Sequence, residues 1–243
     1  MQEKALFYQF AFVIITEKVG ENMLKYKCLV LDHDDTVVQS EDTINYPFFC
    51  YILDQFRPGE KITPEEYAYG CYHTGFTQMC TEKYGFTEQE QEAEYLGWKE
   101  YIRTHIPAPY AGIERIIHRQ KELGGIICVV SHSSEENIKR DYAAHFNLQP
   151  DEIFGWDYPA HQRKPNPYPI EQIMKKYNLV KEDILIVDDM KPAWEMAQKV
   201  HVPIAFAGWG RLHYPAIVEE MSRLCDYSFL SVDALYTFLF GTH

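Results

Sequence analysis

The chain is poor in basic residues. It has 23 Lys and Arg against 36 Asp and Glu, a formal net charge of −13 over 243 residues. A nucleic-acid binder clusters Lys and Arg against phosphates, so that class is set aside. A small phosphorylated ligand is not, because a local positive site can sit in an acidic protein. A long apolar run is also missing. The stretch ALFYQFAFVIIT, residues 5–16, is too short to span a bilayer. Only Lys4 precedes it as a basic residue, and no clear small-x-small cleavage site follows. Residues 1–22 therefore read as an N-terminal extension, and the expectation is a cytoplasmic protein without membrane association. No C-x-x-C pair occurs. Cys28, Cys50, Cys71, Cys80, Cys128 and Cys225 are scattered, which disfavours a zinc site or a disulfide framework. They are expected as reduced thiols, with Cys28 and Cys128 inside apolar runs. Internal repeats and low-complexity tracts are absent as well.

What is present is an alternation. Five short β-rich runs stand at 27–32, 126–131, 152–156, 184–188 and 202–206. The first, second and fourth are almost continuously apolar, as expected of strands covered on both faces. Helical patterns lie between them at 113–123, 135–146, 169–177 and 192–200. Strand alternating with helix predicts βαβ units on a parallel sheet. Residues 42–108 are too long for one crossover. They hold helical stretches at 46–56, 64–71, 76–84 and 88–105, and they read as an inserted helical cap, with Pro107 and Pro109 marking the return. Residues 23–41 and 109–243 would form the core domain. The tail CDYSFLSVDALYTFLFG predicts a short strand and a closing helix.

Polar residues gather where these runs end, the position at which open parallel sheets bind ligands. Asp32, Asp34 and Thr36 follow the first run as D-x-D-x-T. Ser131 ends the second in VVSHSS, Lys164 follows the third in RKPNP, and Asp188 and Asp189 end the fourth in IVDDMKP. Brought to one sheet edge, the carboxylates form a hard oxygen site suited to Mg²⁺, and a cation would offset their repulsion. One carboxylate can attack phosphorus to give an aspartyl-phosphate. Another, two residues on, can protonate the leaving oxygen and then activate water. Ser131 can donate to a phosphoryl oxygen, and Lys164 can neutralise the remaining charge. Ser133-Ser134-Glu135-Glu136 fits a capping box with Ser133 as N-cap and Glu136 at N3, which would start a helix whose free N–H groups favour a phosphate.

With these four motifs in order, the sequence from about Met23 onward resembles the haloacid dehalogenase superfamily, in its phosphoglycolate phosphatase and β-phosphoglucomutase branch. The Ser40-Glu41 pair after the first motif adds to that likeness. The resemblance implies a Rossmann-like three-layer α/β core with an inserted α-helical cap. It implies Asp32 as nucleophile and Asp34 as acid/base. Thr36 supports the motif loop, and Ser131, His132 and Lys164 bind the substrate phosphate. Asp32, Asp188, Asp189 and the backbone carbonyl of Asp34 are the implied Mg²⁺ ligands, with Asp189 binding directly. Two positions depart from the pattern. Asp35 stands where many relatives have Gly, and Ala193 where a further Asp often stands, so Asp188 takes more of the supporting role.

The implied activity is a Mg²⁺-dependent phosphatase acting on a small phosphorylated metabolite. A phosphomutase on the same aspartate is the alternative. A C–halogen hydrolase needs no acid two residues after the nucleophile, so Asp34 argues against it. A receiver domain would be about half as long, with its paired acids ahead of the accepting Asp. Substrate and oligomeric state stay open. So does His33, which can face substrate or the main domain. Arg57, His73 and Arg103 are expected as surface or cap-core residues.

Overall fold

The computed structural model describes residues 24–241; the expected extension at 1–22 lies outside them. Six strands form one parallel sheet in the order β3-β2-β1-β4-β5-β6. They are β1 (Cys28–Leu31), β2 (Ile126–Val130), β3 (Glu152–Phe154), β4 (Ile184–Asp188), β5 (Ile204–Ala207) and β6 (Tyr227–Phe229). Leu31 pairs with Val129 on one side and Val187 on the other. The chain order reverses direction at β1, so the crevice beyond the carboxyl ends of β1, β2 and β4 is the ligand position of this topology.

Each central strand is apolar on both faces because each face meets a helix layer. Leu29 and Leu31 point into one core with Ile113, Ile116 and Ile117 of α5 (Ile113–Glu122), Ile138, Tyr142 and Phe146 of α6 (Glu135–Phe146), and Leu235 and Leu239 of α10 (Val232–Phe240). Cys28 and Val30 point into the other, with Ile170 and Ile173 of α7 (Tyr168–Tyr177) and Ala193, Met196 and Ala197 of α8 (Lys191–Val200). Cys28 and Cys128 meet across β1 and β2 as free thiols, their sulfurs 3.8 Å apart.

Four helices separate β1 from β2: α1 (Tyr46–Phe56), α2 (Pro64–His73), α3 (Phe76–Tyr84) and α4 (Glu88–Thr104). They bury an aromatic-rich core of their own around Phe48, Phe49, Tyr67 and Phe86. A π-helical turn, Glu41–Asn45, leads into them. Thr63 and Thr87 start α2 and α4 with complete capping boxes to Glu66 and Glu90. Arg57 staples this unit: it donates to the carbonyls of Phe56, Tyr84 and Gly85 and pairs with Glu90. Arg103 sits on the surface beside Glu100, and His73 is exposed.

Several boundaries differ from expectation. β3 stops at Phe154 instead of 156, because the Trp156 N–H turns away to the Ser133 carbonyl, 2.8 Å off. β5 begins at Ile204 instead of 202, because the Val202 N–H still bonds back to Ala197. The helix α9 (Pro215–Leu224) was not anticipated; it packs Ile217 and Met221 against Phe206 and Tyr72.

Candidate active site

Asp32 extends the ladder beyond β1, its N–H donating to the Val187 carbonyl at 2.9 Å. The chain then folds back on itself. The N–H groups of Val37 and Val38 both donate to the His33 carbonyl, and that of Asp35 donates to the Val38 carbonyl. Asp35 takes the left-handed conformation at φ 55° that this turn requires. A second loop presses on the first: a Cβ at Gly210 would lie 2.1 Å from the Asp35 carbonyl oxygen, so only glycine fits there. The Trp209 indole donates to the Thr36 carbonyl at 3.1 Å.

Four of the strand-end groups converge. Lys164, almost wholly buried, places Nζ 2.8 Å from Asp32 Oδ1 and 2.8 Å from Asp188 Oδ2. The other oxygen of Asp188 accepts from the Met190 N–H at 2.8 Å. Asp32, Asp188 and Asp189 each offer a carboxylate oxygen, and these three atoms lie within 4.8 Å of one another. Asp189 accepts from the Thr36 hydroxyl at 3.3 Å. The side chain of Asp34 does not join this cluster among the described residues.

Charge is distributed unevenly. Burial pushes the Asp32 carboxyl up, but the Lys164 ammonium and the Ser131 hydroxyl outweigh it and hold the group below its ordinary value. Asp34 is raised, chiefly by desolvation, with the charge of Asp32 adding to it. Asp188 is raised well above the ordinary value by burial and by repulsion from Asp32. Asp189 is pushed up to about 6 by burial, against the pull of Arg211. So Asp32 holds its negative charge more readily, and Asp34 keeps its proton more readily.

The triad of aspartates fits a divalent cation. Mg²⁺ takes oxygen ligands in an octahedron of about 2.1 Å radius, and carboxylate oxygens this close repel unless a cation sits among them. Asp32 Oδ1 is buried and lies 2.8 Å from the Lys164 ammonium.

Ser131 lies at the end of β2, its N–H bonded to the Phe154 carbonyl. Its hydroxyl accepts from the Ser133 N–H at 3.1 Å. The N-cap of α6 is Ser134, not Ser133: Ser134 Oγ accepts from the Asn137 N–H at 3.4 Å. Ser133 cannot serve, because its carbonyl is held by Trp156 and Gly155 packs against it. Among the described residues the buried Ser133 hydroxyl, beside Ser131, has no partner. His132 does not turn its ring toward the carboxylates. Its Nε2 lies 3.0 Å from the Lys164 carbonyl oxygen, and burial together with the Lys164 charge lowers its pKa to about 4. His33 faces the main domain, 3.0 Å from Asp141 Oδ2 and stacked on Tyr142. Asp141 in turn holds Arg140, which donates to the Ile102 carbonyl in α4.

One charged residue at the site, Arg211, escaped the sequence reading, and two others, Glu41 and Asp35, were read there only against the family pattern. Arg211 follows β5 and donates to Asp189 Oδ2 at 2.6 Å. It also pairs with Glu41, read before only as part of a family-like dipeptide. The clue was positional: Arg211 stands after a strand as Ser131 and Lys164 do, but no motif marks it. Asp35, met in the sequence only as a departure from the family pattern, has a structural role here. It is buried, and it accepts the Glu41 N–H at 3.1 Å.

A parallel sheet with acids at the ends of β1 and β4 and a lysine between them defines an α/β core with its site at the strand ends. The chain belongs to the haloacid dehalogenase-like hydrolases, whose family model matches residues 29–207. Solved structures share the fold at low identity. A phosphoglycolate phosphatase assignment from Lactobacillus plantarum is 16% identical, with a TM-score of 0.72, 88% of this chain and 100% of that chain covered. CbbY from Rhodobacter sphaeroides in complex with phosphate is 17% identical, with a TM-score of 0.68 and coverage of 86% and 96%. A CbbY variant from the same organism in complex with xylulose-1,5-bisphosphate gives 17% and 0.67, with coverage of 85% and 95%. No curated protein matches the sequence. Among the described residues no helix is long and apolar enough to cross a membrane.

Proposed function

We propose that this protein is a Mg²⁺-dependent phosphatase that hydrolyses a small phosphate monoester through an aspartyl-phosphate on Asp32. One observation carries the reading: Lys164 and the Asp32–Asp188–Asp189 cluster meet in one buried site at the carboxyl ends of β1 and β4. An Asp32 oxygen attacks phosphorus as the bond from phosphorus to the leaving oxygen breaks. Asp34 delivers its proton to that oxygen, so the alcohol departs neutral. Asp34, now ionised, takes a proton from water. That water attacks phosphorus, the bond from phosphorus to Asp32 breaks, and inorganic phosphate leaves. Ser131 and the backbone N–H of His132 hold phosphoryl oxygens, and Lys164 neutralises their charge. The partnerless Ser133 hydroxyl supports an oxyanion in this corner. Asp32, Asp188, Asp189 and the Asp34 carbonyl are the residues that would hold Mg²⁺, whose charge stabilises the phosphoryl oxygens when bound.

The four helices between β1 and β2, within the expected 42–108 insert, are the cap in this reading, and they select the leaving group. The phosphate and bisphosphate complexes of CbbY support a small phosphorylated metabolite as substrate. That class of substrate and the free cysteines support a cytoplasmic site of action. The test is phosphate release from a panel of monoesters that includes p-nitrophenyl phosphate, with and without Mg²⁺. Turnover that needs the metal and is lost in Asp32→Asn is the expected result. Metal-independent turnover, or full activity in Asp32→Asn, refutes the mechanism.

A further inference from the structure

Arg211 is the one guanidinium inside the acidic site among the described residues. It is only 4% exposed. Nε and Nη2 both lie 2.6 Å from Asp189 Oδ2. Nη1 reaches Glu41 Oε2, and Nη2 lies 3.9 Å from Asp35 Oδ2. These carboxylates come from three different places. Asp189 follows β4, Asp35 lies in the loop after β1, and Glu41 opens the π-helical turn that carries the chain into the helical insert. Asp35 closes the circuit by accepting the Glu41 N–H. Arg211 itself cannot drift. Its N–H bonds to the Gly208 carbonyl and its carbonyl accepts from Tyr214, while Gly210 is jammed against Asp35.

We propose that Arg211 is a positioning residue for the metal site: its planar fork fixes Asp189 and ties that carboxylate to the insert's hinge at Glu41. This rests on the Mg²⁺ reading above. A guanidinium so close to a cation site opposes metal binding by charge alone, so proximity predicts a tighter site once it is removed. Orientation predicts the reverse. An outer partner that holds a ligating carboxylate is worth about 10- to 100-fold in metal affinity. Without the fork, Asp189 keeps only the Thr36 hydroxyl among the described residues, at 3.3 Å. The fork, rather than the charge, does the orienting, since a lysine offers a point charge without paired planar donors.

The sign of the change decides the matter. Mg²⁺ is titrated calorimetrically into the full chain, without substrate, for wild type, Arg211→Lys, Arg211→Met, Glu41→Gln and the Arg211→Met/Glu41→Gln double variant. Far-UV circular dichroism checks that each is folded. The expected result is at least tenfold weaker Mg²⁺ binding in both Arg211 variants and about threefold weaker in Glu41→Gln. The double variant should be no worse than Arg211→Met, because Glu41 acts through Arg211. Unchanged or tighter binding in folded Arg211→Met, or wild-type binding in Arg211→Lys, overturns the positioning role. Glu41→Gln leaves the arginine in place and carries the test of the hinge link if Arg211→Met does not fold; wild-type affinity there overturns that link. A wild-type chain that binds no Mg²⁺ refutes the metal reading itself, and this inference with it.

Discussion

Glu94 sets up a measurable pH dependence in the helical insert. It lies on the inner face of α4, 8% exposed, near Tyr67 and Cys80. No hydrogen bond or ion pair reaches its carboxylate among the described residues. Desolvation alone pushes its pKa from the ordinary 4.5 to about 7. The folded state therefore holds this proton more tightly than the unfolded chain. Below pH 4.5 both states are protonated and the group costs nothing. Between 4.5 and 7 the unfolded chain ionises first, so stability falls as pH rises. Above 7 both states are ionised and the cost is complete. At about 1.4 kcal/mol per pH unit, the gap corresponds to about 3 kcal/mol. Glu94→Gln keeps the shape and removes the ionisation. It should match wild type near pH 4.5 and exceed it at pH 8 by up to about 3 kcal/mol, which is about 6 to 12 °C in Tm for a chain of this size. Urea unfolding of both proteins at pH 4.5, 6, 7 and 8 measures the difference, and the other titrating groups cancel in the subtraction. A difference that does not change with pH refutes the reasoning.

Lys164→Met leaves Asp32 and Asp188 facing each other without their shared cation. Turnover at neutral pH should fall by about 10²- to 10³-fold, with about 3 to 5 kcal/mol lost in denaturant melts; a variant as active as wild type contradicts the site as drawn. Ser134→Ala should cost about 1 kcal/mol through the lost cap of α6, while Ser133→Ala leaves that cap intact. Comparative melting separates the two, and equal losses would restore Ser133 to the cap position. Gly210→Ala forces a Cβ into the Asp35 carbonyl, so it should destabilise by about 1 to 3 kcal/mol and lower kcat more than KM. Unchanged kinetics would show that the two loops can move apart.

Much of this molecule is written locally. The runs around Val30, Cys128 and Ile186 are apolar without alternation because both faces of the sheet are covered, and that pattern is visible in any short window. The acids after β1 and β4 were legible for a related reason: charge at the end of a buried strand has no structural benefit, so it marks a site. The Thr-x-x-Glu boxes at Thr63 and Thr87 likewise sit within one turn of the helices they start.

What the sequence left open depends on contacts between distant segments. Ser133 and Ser134 both fit an N-cap locally. The choice was made by β3, whose following residues Gly155 and Trp156 lock the Ser133 carbonyl. His33 had two equal readings, and Asp141 on α6, 108 residues away, settled it toward the main domain. Arg211 is 22 residues from Asp189 and 170 from Glu41. The order of apolar runs and helical stretches along the chain already determined a parallel α/β core with acids at its strand ends. Only the stacking of the β5 loop on the β1 loop decided that Arg211 joins Lys164 among those acids, because a buried ion pair exists only where two backbones bring its partners together.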